Sequence, residues 1–472
     1  MNTKTIIGLE IHVELATNTK MFCSCKNEFG AVPNTNVCPV CLGHPGALPV
    51  MNEKAVELAL RAGLAFNCDI ANDQKMDRKK YFYPDLTKGY QITQFDKPYA
   101  QNGYVGLSTG KKVGLIEIHM EEDTGKSNHD EEGRTLMDYN RAGVPLIEIV
   151  TKPDINSPDE AREFVETLAS TLRFLEVSDC IMAQGSMRVD VNINMVDNDT
   201  GNKTNIAEIK NMNSIKAIEQ ALAYEEERQR KLLENGEFGI KETRRWDDEK
   251  LETIHMRNKE VGNDYRFSVD GDIPEIYLNE DYIKDIEEKL PELPTKKQSR
   301  YIKEYEMTEY DANLLANDRE LAELFEKTNE LVNDPKISAN WILTELSRRL
   351  NETEQSPSTM NLSIENFAKL INLAKDDKVN NNVAKKLLRE IYESNEDPEK
   401  LAEERNLLQI SDSELLEEVV NQVLEENPES IEDIKNGKDR AFGFLVGQAM
   451  KKTKGKGNPV EINNLLKEKI GE

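Results

Sequence analysis

Two groups of residues in this chain have the types and spacing to do chemistry. The first is Cys23-Ser24-Cys25 followed, after twelve residues, by Cys38-Pro39-Val40-Cys41. Paired thiolates on two short turns supply four soft ligands to tetrahedral zinc, and four protein ligands close the site, which makes such a zinc structural. The alternative is a set of ordinary reduced thiols in loops. Cys68 and Cys180 stand alone and read as core residues, and His44, three residues past the second pair, reads as a solvent-facing loop histidine.

The second group is acidic. Glu10, His12 and Glu14 alternate along Leu9-Glu10-Ile11-His12-Val13-Glu14-Leu15 and so share one face of a strand. They are joined by His119-Met120-Glu121-Glu122-Asp123 and by Glu148 within Pro145-Leu146-Ile147-Glu148-Ile149-Val150. A carboxylate among Leu, Ile and Val is costly to bury unpaired, so Glu148 requires a cation or a hydrogen-bonded partner. Carboxylates with an imidazole suit magnesium, which keeps waters and substrate phosphate oxygens in its remaining positions. An ion pair with Arg141 is the other way to satisfy Glu148. By alternation Glu117, Glu121 and Asp123 fall on the His119 face and Glu122 does not, so the pattern leaves open which acid binds metal.

Gly125-Lys126-Ser127 is no P-loop, because the first glycine of that motif belongs at position 120, which is Met120. A nucleotide would instead be held through metal and scattered bases, with Lys79, Arg188 and Lys210 as candidate phosphate contacts or, equally, ordinary ion-paired bases. The run Tyr81-Phe82-Tyr83-Pro84-Asp85-Leu86, followed by Lys88-Gly89-Tyr90-Gln91-Ile92, interleaves rings with Lys and Gly. It reads either as a stacking platform for a nucleobase or an RNA 3′ end, or as a packed strand pair with a Lys-Gly turn.

The elements that must position these groups are partly legible. Met187, Val189, Val191, Ile193 and Met195 alternate with Arg188, Asp190, Asn192 and Asn194, giving a second strand with one apolar and one polar face. Ser157, Pro158 and Glu160 sign a helix start, and Phe164, Val165, Leu168, Leu172 and Leu175 form its apolar stripe. These patterns predict an α+β fold: an antiparallel sheet with helices on its apolar side and a functional polar surface on the other. At Pro291-Glu292-Leu293-Pro294 the chain turns charged, Leu-rich and helix-forming, which places a domain over 1–292. Helical spacing on either side of Gln355-Ser356-Pro357-Ser358-Thr359 predicts two all-α modules, 293–355 and 356–472.

With 61 basic and 88 acidic residues, the 472-residue chain carries a net charge of −27 and as a whole repels nucleic acid and anionic membrane. Any RNA contact must be local. No run of about 18 apolar residues spans a bilayer, and Met1-Asn2-Thr3-Lys4-Thr5-Ile6-Ile7-Gly8 lacks the apolar stretch of a signal peptide. A reducing, cytoplasmic setting without disulfides is expected. After the acidic stretch 411–434, Lys435, Lys438, Arg440, Lys451, Lys452, Lys454 and Lys456 stand against the single acid Asp439. This basic island either touches RNA phosphates or is a solvated loop.

The strand motif around Glu10, Arg78-Lys79-Lys80-Tyr81-Phe82-Tyr83-Pro84-Asp85-Leu86, His119-Met120-Glu121-Glu122-Asp123-Thr124-Gly125-Lys126, Asp138-Tyr139-Asn140-Arg141-Ala142-Gly143-Val144-Pro145 with the strand after it, Gly185-Ser186-Met187-Arg188-Val189-Asp190-Val191-Asn192, and Glu208-Ile209-Lys210-Asn211-Met212-Asn213-Ser214 closely resemble the B-subunit family of tRNA-dependent aspartyl/glutamyl amidotransferases. The likeness extends to Phe442-Gly443-Phe444-Leu445-Val446-Gly447-Gln448. A related archaeal-type subunit shares many of these motifs but has an inserted domain not evident here, which favours the three-subunit enzyme.

The resemblance implies a cradle-like catalytic domain over about 1–292 with a zinc-binding insertion at 23–41, then a helical domain and a small helical tail that contacts tRNA through Lys438, Arg440, Lys451, Lys452 and Lys454. It implies ATP-dependent phosphorylation of the esterified carboxylate of misacylated Asp-tRNA(Asn) or Glu-tRNA(Gln), then displacement of phosphate by ammonia. An amidase A subunit would release the ammonia from glutamine, and a small C subunit would bridge the two. His12, Glu122 and Glu148 look like the magnesium ligands with Glu10 close by, and the zinc at Cys23, Cys25, Cys38 and Cys41 would be structural and dispensable to the chemistry. Two other readings fit the same residues: a zinc-containing RNA-binding protein whose carboxylates are structural, and a metal-dependent nuclease.

Overall fold

The computed structural model describes residues 2–130, 132–258, 265–409, 413–435, 439–453 and 457–470. The chain divides into two units, Met1–Leu293 and Pro294–Glu472.

The first unit is built on a ten-stranded sheet. Its middle is the strand Thr3–Glu14, which pairs antiparallel with Pro145–Thr151 on one side and Met187–Asp197 on the other. Lys112–Glu122 follows beyond Pro145–Thr151, and Ala207–Lys210 beyond Met187–Asp197. The sheet is antiparallel except at Ala207–Lys210 against Glu242–Asp247, a parallel joint that the helix Ile215–Glu234 lies between in sequence. A parallel pair needs such a crossover, so this helix accounts for the one departure from an antiparallel sheet.

Two-residue alternation decides which way the sheet faces. Ile7, Leu9, Ile11 and Val13 are buried together with Val189, Val191 and Ile193, in one core that includes Phe164, Leu168 and Leu172 of the helix Pro158–Phe174. That helix starts where its signals place it: Ser157 Oγ accepts from the Glu160 amide at 3.2 Å, and Pro158 holds the first position. The Glu160 carboxylate reaches back to the Asn156 amide at 2.8 Å and also accepts from Lys111 Nζ at 2.6 Å. With helices on the apolar face, the polar face carrying Glu10, His12, Arg188 and Asp190 is left open.

The second unit is built of helices joined by turns among its described residues, and here the expected boundary between 355 and 356 needs correction. One hydrophobic core runs from Tyr301 through Trp341 and Leu350 to Phe367, Leu387 and Ala402, so helices on both sides of Gln355–Thr359 bury the same residues. The segment is a turn whose Ser358 hydroxyl and amide are held by Glu320, at 2.8 and 3.0 Å. Its Ser/Pro composition reads as a linker because turns and linkers share those residues. A separate small core, Leu416, Val420, Val423, Leu445, Ala449, Ile462 and Leu466, holds the last helices. Among the described residues no helix is long and apolar enough to cross a membrane.

Candidate active site

Strand register brings the scattered acidic motifs into one row. His12 lies opposite Glu148 on one side and Arg188 on the other, and Glu148 lies opposite His119, so Arg188, His12, Glu148 and His119 cross four strands. Facing residues of antiparallel strands share a side of the sheet, so all four stand on the open face. Glu148 Oε2 is 3.0 Å from His119 Nε2 and 3.4 Å from His12 Nε2, and His12 Nε2 is 3.4 Å from Glu121 Oε1. Arg141, the alternative partner of Glu148, is engaged elsewhere.

His12, Glu121 and Glu148 each offer a ligand atom within 4.8 Å of the others. The geometry thus brings Glu121 beside His12 and Glu148, where the resemblance had placed Glu122. Glu122 projects to the opposite side of its strand, where it accepts from the Ile92 amide at 3.0 Å and pairs with Lys88 Nζ. The alternation of Lys112–Glu122 dictates this: His119 and Glu121 face the cleft, and Met120 and Glu122 face away. Glu10 is on the cleft side, where its Oε1 accepts from Asn192 Nδ2 at 3.1 Å.

The electrostatics describe a cleft that favours a cation. Burial first, and the charges of Glu148, Asp190 and Glu208 next, push the Glu10 carboxyl up. Burial does the same to Glu121, with Glu148 adding to it. Burial opposes charge on Glu148, but hydrogen bonds from His119 and His12 outweigh it and hold its carboxyl far below the usual range. Burial also disfavours charge on His119, yet Glu117 and Glu148 raise its imidazole to about 10. Such crowded carboxylates fit a hard divalent cation by their donor chemistry.

The cleft has a volume of about 610 Å³ and is lined on its basic side by Lys79, Arg188, Lys210 and Arg257. Two of these bases are already compensated: Arg188 Nη2 donates to Asp123 Oδ1 at 2.9 Å, and Lys210 Nζ to Asp190 Oδ2 at 2.5 Å. Lys79 and Arg257 form no direct ion pair with a carboxylate among the described residues, although the charge of Lys79 is felt at Glu121. Lys79 Nζ lies 4.7 Å above the Tyr265 ring, which meets Tyr81 edge-on at 5.5 Å. Asp123, buried, also accepts from Arg141 Nε at 2.9 Å and Nη2 at 2.6 Å, so it ties two guanidiniums together. Its carboxyl stays below the usual carboxylate range although burial opposes this, because the charges of Arg188 and Arg141 win.

Sequence reasoning missed Asp123 as an organiser and Arg257 altogether. Asp123 had a signal, since alternation put it on the His119 face. Arg257 had none, because Glu252–Asn258 shows no clean alternation and reaches the cleft only through a strand pairing at the sheet's edge.

The four thiols Cys23, Cys25, Cys38 and Cys41 converge, their Sγ atoms all within 4.8 Å of one another. A tetrahedral zinc with Zn–S bonds of about 2.3 Å fits this spacing. Backbone turns shape the set: the Cys38 amide donates to Cys41 Sγ at 3.1 Å, and the Leu42 amide to Cys38 O at 3.0 Å. Lys20, wholly buried, places Nζ 3.6 Å from Cys41 Sγ and 3.3 Å from Tyr139 O. The hydrogen bond from Cys23, supported by Lys20, draws the Cys41 thiol down to about 4. His44 is exposed and outside the cluster, and Cys68 and Cys180 are remote from it. Freshly prepared, reduced protein is expected to carry about one zinc per chain, and Cys41→Ser to lose it. Elemental analysis showing no zinc in the unmodified protein would reject the site.

Of the basic island, Arg440, Lys451 and Lys452 are exposed, and Lys452 Nζ pairs with Glu426 at 2.6 Å. Lys438, Lys454 and Lys456 lie outside the described residues.

An acidic, imidazole-bearing cleft opposed by bases on an open sheet face defines a catalytic domain, and residues 5–284 match the family described as the GatB/GatE catalytic domain. Residues 323–470 match the GatB domain. The B subunit of the aspartyl/glutamyl-tRNA(Asn/Gln) amidotransferase of Finegoldia magna is 60% identical over 473 residues, with all of both chains covered. Proteins of the same name from Caldicellulosiruptor bescii and Clostridium tetani are 47% and 46% identical, covering this whole chain and 99% and 100% of theirs. The chain belongs to the B-subunit family of these amidotransferases.

Proposed function

We propose that this chain is the subunit of a tRNA-dependent amidotransferase that activates and amidates misacylated Asp-tRNA(Asn), Glu-tRNA(Gln) or both in the cytoplasm. ATP phosphorylates the side-chain carboxylate of the esterified amino acid, and ammonia displaces the phosphate to form the amide. The ammonia is released from glutamine by an amidase A subunit, with a small C subunit completing the heterotrimer.

The observation that carries this reading is the cleft itself, which His12, Glu121 and Glu148 line together with Lys79 and Arg257. Phosphoryl transfer depends on positioning and charge neutralisation, which this arrangement supplies. His12, Glu121 and Glu148 would hold magnesium, with Glu10 beside them, and the bound ion would neutralise phosphate charge. Lys79 and Arg257 are the bases free to meet phosphate oxygens. Arg188 is held in place by Asp123, and Lys210 by Asp190, so these two orient a ligand without adding an uncompensated charge.

The test is ATP cleavage by the reconstituted complex with and without misacylated tRNA. Cleavage and amide formation that both need the aminoacyl ester support the reading. Intact tRNA with neither product would return the protein to an RNA-binding role, and loss of intact tRNA would indicate a nuclease.

The tail gives a separable prediction. Deleting residues from 411 onward is expected to raise the KM for misacylated tRNA and flatten the salt dependence of its binding, by about 0.9 in logarithmic slope for each phosphate no longer neutralised. ATP binding should be preserved. Unchanged affinity and slope would make the island a solvated surface.

A further inference from the structure

Phe82 is 100% exposed, and its neighbour Tyr83 is exposed too. The segment that presents them is tied down at several points. Tyr139 Oη donates to Pro84 O at 3.0 Å, the Gly125 amide to Asp85 O at 2.9 Å, and Thr124 Oγ1 to Asp85 Oδ2 at 3.0 Å. A fastened loop that holds an apolar ring wholly in water forgoes the stabilisation that burial would give it.

The strand leading into the loop carries a second anomaly. Lys80 lies directly opposite Arg266, both are exposed, and neither has a carboxylate partner among the described residues. Like charges facing each other across strands are destabilising, and they are the more conspicuous in a chain of net charge −27. Lys79 and Tyr81 line the cleft, whereas Lys80 and Phe82 do not.

We propose that Phe82, with Lys80 and Arg266, receives the unpaired 3′-terminal nucleotides of the tRNA, the ring stacking on a base and the two cations meeting its phosphates. The proposal rests on reading the cleft as the aminoacyl-tRNA site. ATP and ammonia are small enough to lie within the cleft, while the tRNA must have its esterified end inside and the rest of its chain outside. Unstacked bases and a phosphate backbone are the chemistry that an exposed ring flanked by cations recognises. A phosphate backbone is the better match than a protein partner, because two facing cations without a carboxylate partner among the described residues call for a polyanion.

The experiment uses the assembled three-subunit complex and measures binding of tRNA, intact or trimmed of its 3′-terminal single-stranded nucleotides. Phe82→Ala is expected to weaken binding of intact tRNA about tenfold, and Phe82→Tyr to retain it. Trimmed tRNA should bind the unmodified and Phe82→Ala complexes equally, and the KM for ATP should not move. Lys80→Ala and Arg266→Ala should each reduce the salt slope by about 0.7, the single-strand value. Equal binding of intact tRNA by Phe82→Ala overturns the proposal, as does an equal loss with trimmed tRNA. A raised KM for ATP would assign the ring to the adenine of ATP, and dissociation of the Phe82→Ala complex on gel filtration would assign it to a partner protein. Either outcome overturns it. Because these are binding comparisons, they decide the matter even if the unmodified complex cleaves no ATP, a result that would sink the functional reading separately.

Discussion

Glu148→Gln is expected to lower tRNA-dependent ATP cleavage at least about 100-fold, since charge stabilisation of a phosphoryl group by a bound metal is worth several kcal/mol. Glu148 is the acid that both histidines address, at 3.0 and 3.4 Å. Glutamine keeps the size and one acceptor oxygen but removes the negative charge. Because both imidazoles also lose their buried partner, the thermal midpoint should fall as well, and unchanged binding of misacylated tRNA is the measurement that separates loss of chemistry from loss of fold. Glu121→Gln should share the phenotype, and raising the magnesium concentration should restore part of the activity in both. Cleavage unimpaired in Glu148→Gln would make the carboxylate a structural partner of its histidines.

The second large effect concerns stability. Asp123 joins Arg141 and Arg188 from inside the cleft wall, and removing one partner of a buried charge cluster costs about 3–5 kcal/mol. Asp123→Ala is thus expected to lower the thermal midpoint by roughly 5–15 °C. The pH dependence has a definite sign. A carboxyl held below its unfolded value stabilises the fold above that value, and the contribution fades as pH falls through the folded one. The gap between unmodified protein and Asp123→Ala should therefore be full at neutral pH and narrow below about pH 4. Denaturant unfolding at a series of pH values measures it, and a gap that is constant with pH would remove the ion pairs from the explanation.

The parts of this molecule that were legible in the sequence are those governed by local periodicity. Alternation in Thr3–Glu14 and Met187–Asp197 gave the open polar face, and Ser157-Pro158 gave the start of the helix packed beneath it. The four thiols were legible because their spacing is itself the signal. Which strands would be neighbours was not, because pairing is set by residues far apart in the chain. His12 meets Glu148 and Arg188 only through register. The choice of Glu122 over Glu121 came from resemblance; the period-two pattern, which left the metal-binding acid open, already put Glu121 and not Glu122 on the His119 face, and the sheet register does the same. Gln355–Thr359 misled for another reason: the same composition serves a turn over a shared core and a linker between two cores, and only tertiary packing separates them.

The central place of Thr3–Glu14 in the sheet bears on how the protein is made. During translation this strand emerges well before Pro145–Thr151 and Met187–Asp197, the two segments that flank it. At ordinary ribosomal speeds it spends roughly 7–27 s with both edges unsatisfied. A bare strand with an apolar side is a template for another nascent chain, and interspersed charge is what discourages such mispairing. Lys4, Glu10 and Glu14 supply that charge. Glu10, which also lines the cleft, is thus expected to discourage mispairing of the unfinished polypeptide as well.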